Sequence, residues 1–170
     1  MNIRLTLHSL LVLVISFMIT SCEGLIKDHD YVGTWQFSEQ ISSDNLLYNT
    51  TRTIILEKNS YEETYIIQRE NSSVISAIIG TSGNLKMSHS TIIFELKELG
   101  TCDLDESEIC TGDVLWYGEG TQYWIDNIPY FEKTVTGVFE VTGTSMHLTR
   151  DLNGDGDYED TGEDVTFEMI

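Results

Sequence analysis

The chain has 170 residues, enough for one domain around one core. Its 28 acidic residues against nine Lys and Arg give a formal net charge of −19, a field that repels phosphate backbones and anionic headgroups and argues against nucleic-acid partners. One Pro, eight Tyr and three Trp, with abundant Thr and Ile, favour paired strands over helices.

Met1-Asn-Ile-Arg4 forms a short positive opening, and Leu10 to Ile19 is almost wholly apolar yet too short to stay in a bilayer as a spanning helix. Residues 1–21 therefore read as a signal peptide. Ile19-Thr20-Ser21-Cys22 resembles the bacterial lipobox, in which a small residue precedes a Cys that is acylated and becomes the new N-terminus. That resemblance implies a cell-envelope lipoprotein hung by palmitate-type chains at Cys22 from the outer membrane, on its periplasmic or its surface face. At about 0.8 kcal/mol per buried methylene, two or more chains make a durable anchor. An ordinary secretory leader with an incidental Cys is the plainer alternative. Removing the leader takes Arg4 with it and leaves eight basic residues against 28 acidic, a balance of −20. Residues 22–30 are polar and acidic and read as a flexible tether.

From Tyr31 onward short runs of period two are punctuated by turn residues. Gly33, Trp35 and Phe37 share one face of the first strand. Thr51–Glu57 and Tyr61–Arg69 form a hairpin through Lys58-Asn59-Ser60. A second hairpin is expected between Ser73–Ile79 and Leu85–Ser88, through Thr81-Ser-Gly-Asn84. Ser90–Glu98 places Ile92, Phe94 and Leu96 inward, and Val114–Tyr117 and Gln122–Asp126 are expected to be strands. The last three runs, Thr134–Val141, Ser145–Arg150 and Val165–Ile170, point Val135, Phe139, Val141, Met146, Leu148, Val165, Phe167 and Met169 inward. With no helical stretch after the leader, residues 31–170 read as an all-β domain. Its expected form is an up-and-down antiparallel β-barrel of about 8–10 strands, since closure removes exposed edges; a sandwich is the alternative.

Gly33-Thr34-Trp35 at the start of the first strand resembles the Gly-x-Trp signature of the lipocalins, and Thr136–Thr149 is similar to the last hairpin of bacterial lipocalin-like lipoproteins. The resemblance covers roughly residues 30–170. It implies a barrel whose Trp closes one end, often beneath a late basic side chain, for which Arg150 is the candidate. It also implies a small hydrophobic or amphipathic ligand, carried without catalysis. The chain lacks a recognisable Thr-Asp-Tyr turn and a C-terminal helix.

Cys102 and Cys110 bracket an acidic run, Asp103 to Ile109. In an oxidising compartment two thiols this close should pair, and by the chain-entropy model so short a loop adds about 2–3 kcal/mol. Free thiols or a metal site are the alternatives, although no second Cys or His pair has zinc spacing. The run between them is a solvated tip or a second cation patch.

Asp151-Leu-Asn-Gly-Asp-Gly-Asp-Tyr-Glu-Asp160 sets oxygen ligands at alternating positions, with glycines that let the chain curl around a point. Hard cations want such a set. The run resembles the first half of an EF-hand or dockerin calcium loop, with Asp151, Asn153 and Asp155 as side-chain ligands, Asp157 at the carbonyl position and Asp160 nearby. It departs from that pattern at the twelfth position, Gly162, so a bidentate carboxylate would come from Asp160, Glu163 or Asp164. The plainer reading is a wide turn between the last two strands.

There is no Gly-x-Ser-x-Gly elbow, no phosphate-cradling loop followed by Lys, and no zincin His pair, and no catalytic role is expected. His147 lies on the face opposite Met146 and Leu148, and Glu62 and Glu63, adjacent on a strand, point apart. Two functional classes remain for a chain expected to act as a monomer. In one, the barrel holds a small apolar or amphipathic molecule, with Trp116, Tyr117, Tyr123 and Trp124 as lining candidates. In the other, the barrel is solid and its loops, calcium-stiffened or not, bind a protein or glycan. A cavity of a few hundred Å³ open at one end separates them.

Overall fold

Among the described residues, alternation of inward and outward side chains along nine strands builds the domain. The computed structural model describes residues 31–158, 160 and 162–170; the signal peptide, Cys22 and the 22–30 tether lie outside them. The strands are β1 (Gly33–Ser43), β2 (Leu46–Leu56), β3 (Ser60–Arg69), β4 (Ile75–Ser88), β5 (Thr91–Leu104), β6 (Cys110–Gly118), β7 (Thr134–Thr142), β8 (Ser145–Arg150) and β9 (Asp164–Met169). Neighbours pair antiparallel throughout. The sheet closes into a ring where β9 meets β1, opposing Trp35 to Met169 and Gln36 to Glu168. The Ile170 N–H donates to the Thr34 carbonyl at 3.0 Å just beyond them.

β5 is long enough to take two partners along one edge. Thr91–Glu95 pair with β7 and Glu98–Leu104 with β6, while β4 runs along the other edge. The chain between β6 and β7 must therefore travel back beside β5, and it does so partly as a helix. This is α1 (Gln122–Asn127), followed by a 3-10 turn over Ile128–Tyr130.

The helix corrects the strand expected at Gln122–Asp126. Thr121 caps it, accepting the Trp124 N–H on its hydroxyl at 3.3 Å, and Pro129 sits in the turn that ends it. Trp124 is buried against Leu96 and Leu99, with Tyr123, Ile128 and Phe131 packed around them. Capping and the four-residue spacing of Trp124 and Ile128 outweigh the apparent alternation of a five-residue run.

A second correction concerns Thr81–Asn84, which is not a hairpin turn. β4 runs through it, and the register slips between Ser82 and Gly83 as a bulge. A Cβ on Gly83 would lie 2.0 Å from the Glu95 carbonyl oxygen, so only glycine allows this close approach of β5. The Lys58–Ser60 hairpin is as expected, with the Glu57 N–H donating to the Ser60 carbonyl.

Along each strand the inward residues change character. Trp35, Ile54, Leu56, Tyr61, Leu85, Ile92, Phe94, Met146, Leu148, Val165 and Phe167 form one buried cluster, with Phe139 and Val141 against it. Trp35 is fully buried and its indole N–H donates to the Tyr31 carbonyl at 2.8 Å. Met169 shares the inward parity but lies at the strand end, 38% exposed. One or two steps further, β2, β3 and β8 present Arg52, Glu63 and Arg150 instead. The ring has an apolar half and a charged layer above it.

Candidate functional site

Glu63 stands at the centre of that layer. Its Oε2 accepts Arg150 Nη1 and its Oε1 accepts Arg150 Nη2, each at 2.8 Å, a bidentate pair. Arg52 Nε also donates to Oε1, and Arg52 Nη1 donates to the Gly162 carbonyl at 2.6 Å. Glu63 and Arg150 are only 8% and 3% exposed. Burial pushes the Glu63 carboxyl upward, but the charges of Arg150 and Arg52 and their hydrogen bonds outweigh it and hold the group well below the usual carboxylate range. Burial lowers Arg52 despite the opposing pull of Glu63, and a guanidinium starts so high that it stays charged. Arg150 lies over the Phe94 ring, 4.9 Å from its centroid. The late basic side chain thus covers Phe94, where the lipocalin resemblance set it over the tryptophan.

Above these three groups is a cavity of about 410 Å³. Phe37, Tyr61, Tyr65, Phe94, Leu96 and Val135 supply apolar wall, Arg52, Glu63 and Arg150 supply a charged layer, and the carboxylates of Glu39 and Glu132 also border it, with Tyr130, Phe131 and Leu152. Its size falls at the lower end of the roughly 300–1,000 Å³ of small-molecule sites. Burial first, then the charge of Glu63, pushes the Tyr61 hydroxyl up to about 12, so it stays a neutral hydrogen-bonding group on this wall.

The four aromatic lining candidates lie outside this cavity, and Tyr117 instead borders a second one, of about 660 Å³, beside Cys102 and Cys110. Trp116 stands over the paired Gly80 and Gly100, where a Cβ on either would come within 2.8 Å of its ring or of the adjacent Val114. Tyr117 stacks on Tyr123 with centroids 4.6 Å apart, and Trp124 packs on Leu96 and Leu99. The residues that do surround the cavity carry their own signal. Glu63 shares the inward parity of Tyr61 and Tyr65, and Arg52 that of Ile54, so a charge at an inward position marked the site.

Cys102 and Cys110 form a disulfide, with Cα atoms 5.6 Å apart. In the loop they close, Asp105 Oδ1 accepts the N–H groups of Ser107 and Ile109, so this carboxylate serves its own turn. The other acidic loop, between β8 and β9, curls around Asp151, whose two oxygens accept the N–H groups of Gly154 and Gly156 at 2.6 and 3.0 Å. Asn153 Nδ2 donates to Asp155 and to Asp160, at 3.1 and 2.7 Å. Carboxylate oxygens of Asp155, Asp157 and Asp160 all lie within 4.8 Å of one another. Desolvation first, then the charges of Glu163, Asp155 and Asp157, raise the Asp160 carboxyl above its ordinary value. Neither a protein-family model nor a curated protein matches the chain.

Proposed function

We propose that this chain is a cell-envelope lipoprotein, anchored at Cys22, whose ring of strands is a lipocalin-like barrel that binds one small amphipathic molecule and does no chemistry on it. The supporting observation is the cavity over the Arg52–Glu63–Arg150 layer. A solid interior would leave no such volume, and an interior built only for packing would not carry three charges where Leu or Phe could stand.

The floor also favours a class of ligand. Two guanidiniums share one carboxylate, so the layer bears one net positive charge, with the carboxylates of Glu39 and Glu132 elsewhere on the lining. A molecule with an apolar body and a single anionic group, such as a medium-chain carboxylate, suits it.

The test is a titration of the full chain with a medium-chain fatty carboxylate and with its methyl ester. The carboxylate should bind and the ester bind at least about tenfold more weakly, as charge-assisted hydrogen bonds imply. Replacing Arg52 with Met should abolish the difference. Equal binding of acid and ester, or binding unchanged in Arg52→Met, contradicts the reading. Cys22→Ser tests the anchor: the protein should leave the membrane fraction.

A further inference from the structure

We propose that the turn between β8 and β9 is a calcium site in which Glu163, buried beneath the turn, supplies the carboxylate that completes the ligand set. This goes beyond the ligand-binding reading and stands whether or not the cavity is ever filled.

An exposed acidic turn alone argues for nothing more than a solvated loop. Glu163 is a separate observation. It is 1% exposed, its Oε1 accepts the Leu152 N–H at 2.7 Å, and its Oε2 is buried with no hydrogen-bond partner among the described residues. No ion pair among the described residues reaches Glu163, Asp151, Asp155 or Asp160. A buried carboxylate oxygen without a proton donor or a cation is costly, and native structures give such groups a reason. The Glu163 N–H donates to the Asp160 carbonyl at 3.1 Å, so this residue is tied to both ends of the turn, to Leu152 through its carboxylate and to Asp160 through its backbone.

Sequence spacing left Asp160, Glu163 and Asp164 open as the closing ligand, and the geometry separates them. Asp164 faces away, bound to His147 and accepting from Thr149. Asp160 is tied to Asn153 at the exposed rim. Glu163 alone offers a buried, unengaged oxygen. Glu132 adds a further negative charge: its Oε1 lies 3.4 Å from where a Cβ on Gly154 would stand.

The ligand chemistry selects the ion. Every side-chain donor in the set is oxygen, which suits a hard cation and not zinc. Oxygens of Asp155, Asp157 and Asp160 all lie within 4.8 Å of one another, close enough to share one ion, and a cage built from protein carboxylates suits calcium better than magnesium, which usually keeps several of its waters. The amide NH₂ of Asn153 bridges Asp155 and Asp160 while its oxygen accepts the Asp155 N–H at 3.0 Å, so the loop already gathers these oxygens around one point.

The test is calorimetry and thermal melting of the full chain after EDTA treatment, with calcium chloride and then magnesium chloride. Calcium should give a saturable one-to-one heat and raise the melting temperature by roughly 5–10 °C at about a hundredfold excess over Kd. Magnesium should bind more weakly. Glu163→Gln should weaken calcium by about tenfold or more, since affinity follows ligand charge, while melting no lower than the parent without calcium. That pair of opposite effects is one a purely structural glutamate would not show. Asp155→Asn, an exposed change, should also weaken binding and serves if Glu163→Gln does not fold. No saturable heat with the parent chain, magnesium binding as tightly as calcium, or either variant binding like the parent overturns the proposal.

Discussion

Glu63 and Glu163 are both buried and both touch Arg150. The arginine's guanidinium clasps the first, and its backbone N–H donates to the carbonyl of the second at 2.7 Å. Their surroundings differ in sign. Glu63 lies among guanidiniums and is held ionised; Glu163 lies beneath aspartates with one oxygen unengaged. Burial does not decide what a carboxylate costs. Its partners do, and Arg150, the last residue of β8, meets both cases, through its side chain at Glu63 and through its backbone at Glu163.

The largest effect should come from removing the compensated charge. Glu63→Ala strands two buried guanidiniums and should cost about 3–5 kcal/mol in urea unfolding. Acid probes the same pair without mutation. Because the folded Glu63 value lies below its ordinary 4.5, the pair's stability is present above that pH and is lost as pH falls from there toward the depressed folded value. The melting temperature should drop across that range in the parent chain and flatten in Glu63→Ala. Asp160 has the opposite sign: its folded value is raised above 3.8, so its strain is present at neutral pH and eases as pH falls toward that figure.

Smaller effects sharpen the other side of the contrast. Glu163→Gln, in EDTA, should hold or raise stability by up to about 1 kcal/mol, because the amide keeps an acceptor for Leu152 and sheds an uncompensated charge. A loss of several kcal/mol in EDTA would make Glu163 a structural partner like Glu63. Thr121→Ala, remote from both glutamates, should cost about 1 kcal/mol through the lost helix cap and leave the acid profile unchanged.

Much of the ring was legible in the sequence because period-two alternation reports burial directly: Ile92, Phe94, Met146, Leu148, Val165 and Phe167 all face the interior. Gly83 misled because glycine serves turns and bulges alike, and the close approach of Glu95 is invisible until β5 is in place. The helix at Gln122 escaped because its six residues are too few for periodicity to show, and tertiary contacts with Leu96 and Leu99 decide it. The charged floor was hidden for a different reason. Glu63 and Arg150 are 87 residues apart, and only ring closure brings them together. The loop after Arg150 was readable as a ligand-like series, yet the residue that distinguishes it, Glu163, is marked by burial, which spacing does not report.

Native mass spectrometry of the full chain, extracted from its own cells in mild detergent, tests the central claim of a charged-floor cavity that holds one amphipathic molecule. The account predicts a mass above polypeptide plus acyl chains by one small anionic molecule, released on unfolding and absent from Arg52→Met. A mass fully explained by the acylated polypeptide, identical in the parent chain and in Arg52→Met but for the substitution, would contradict it.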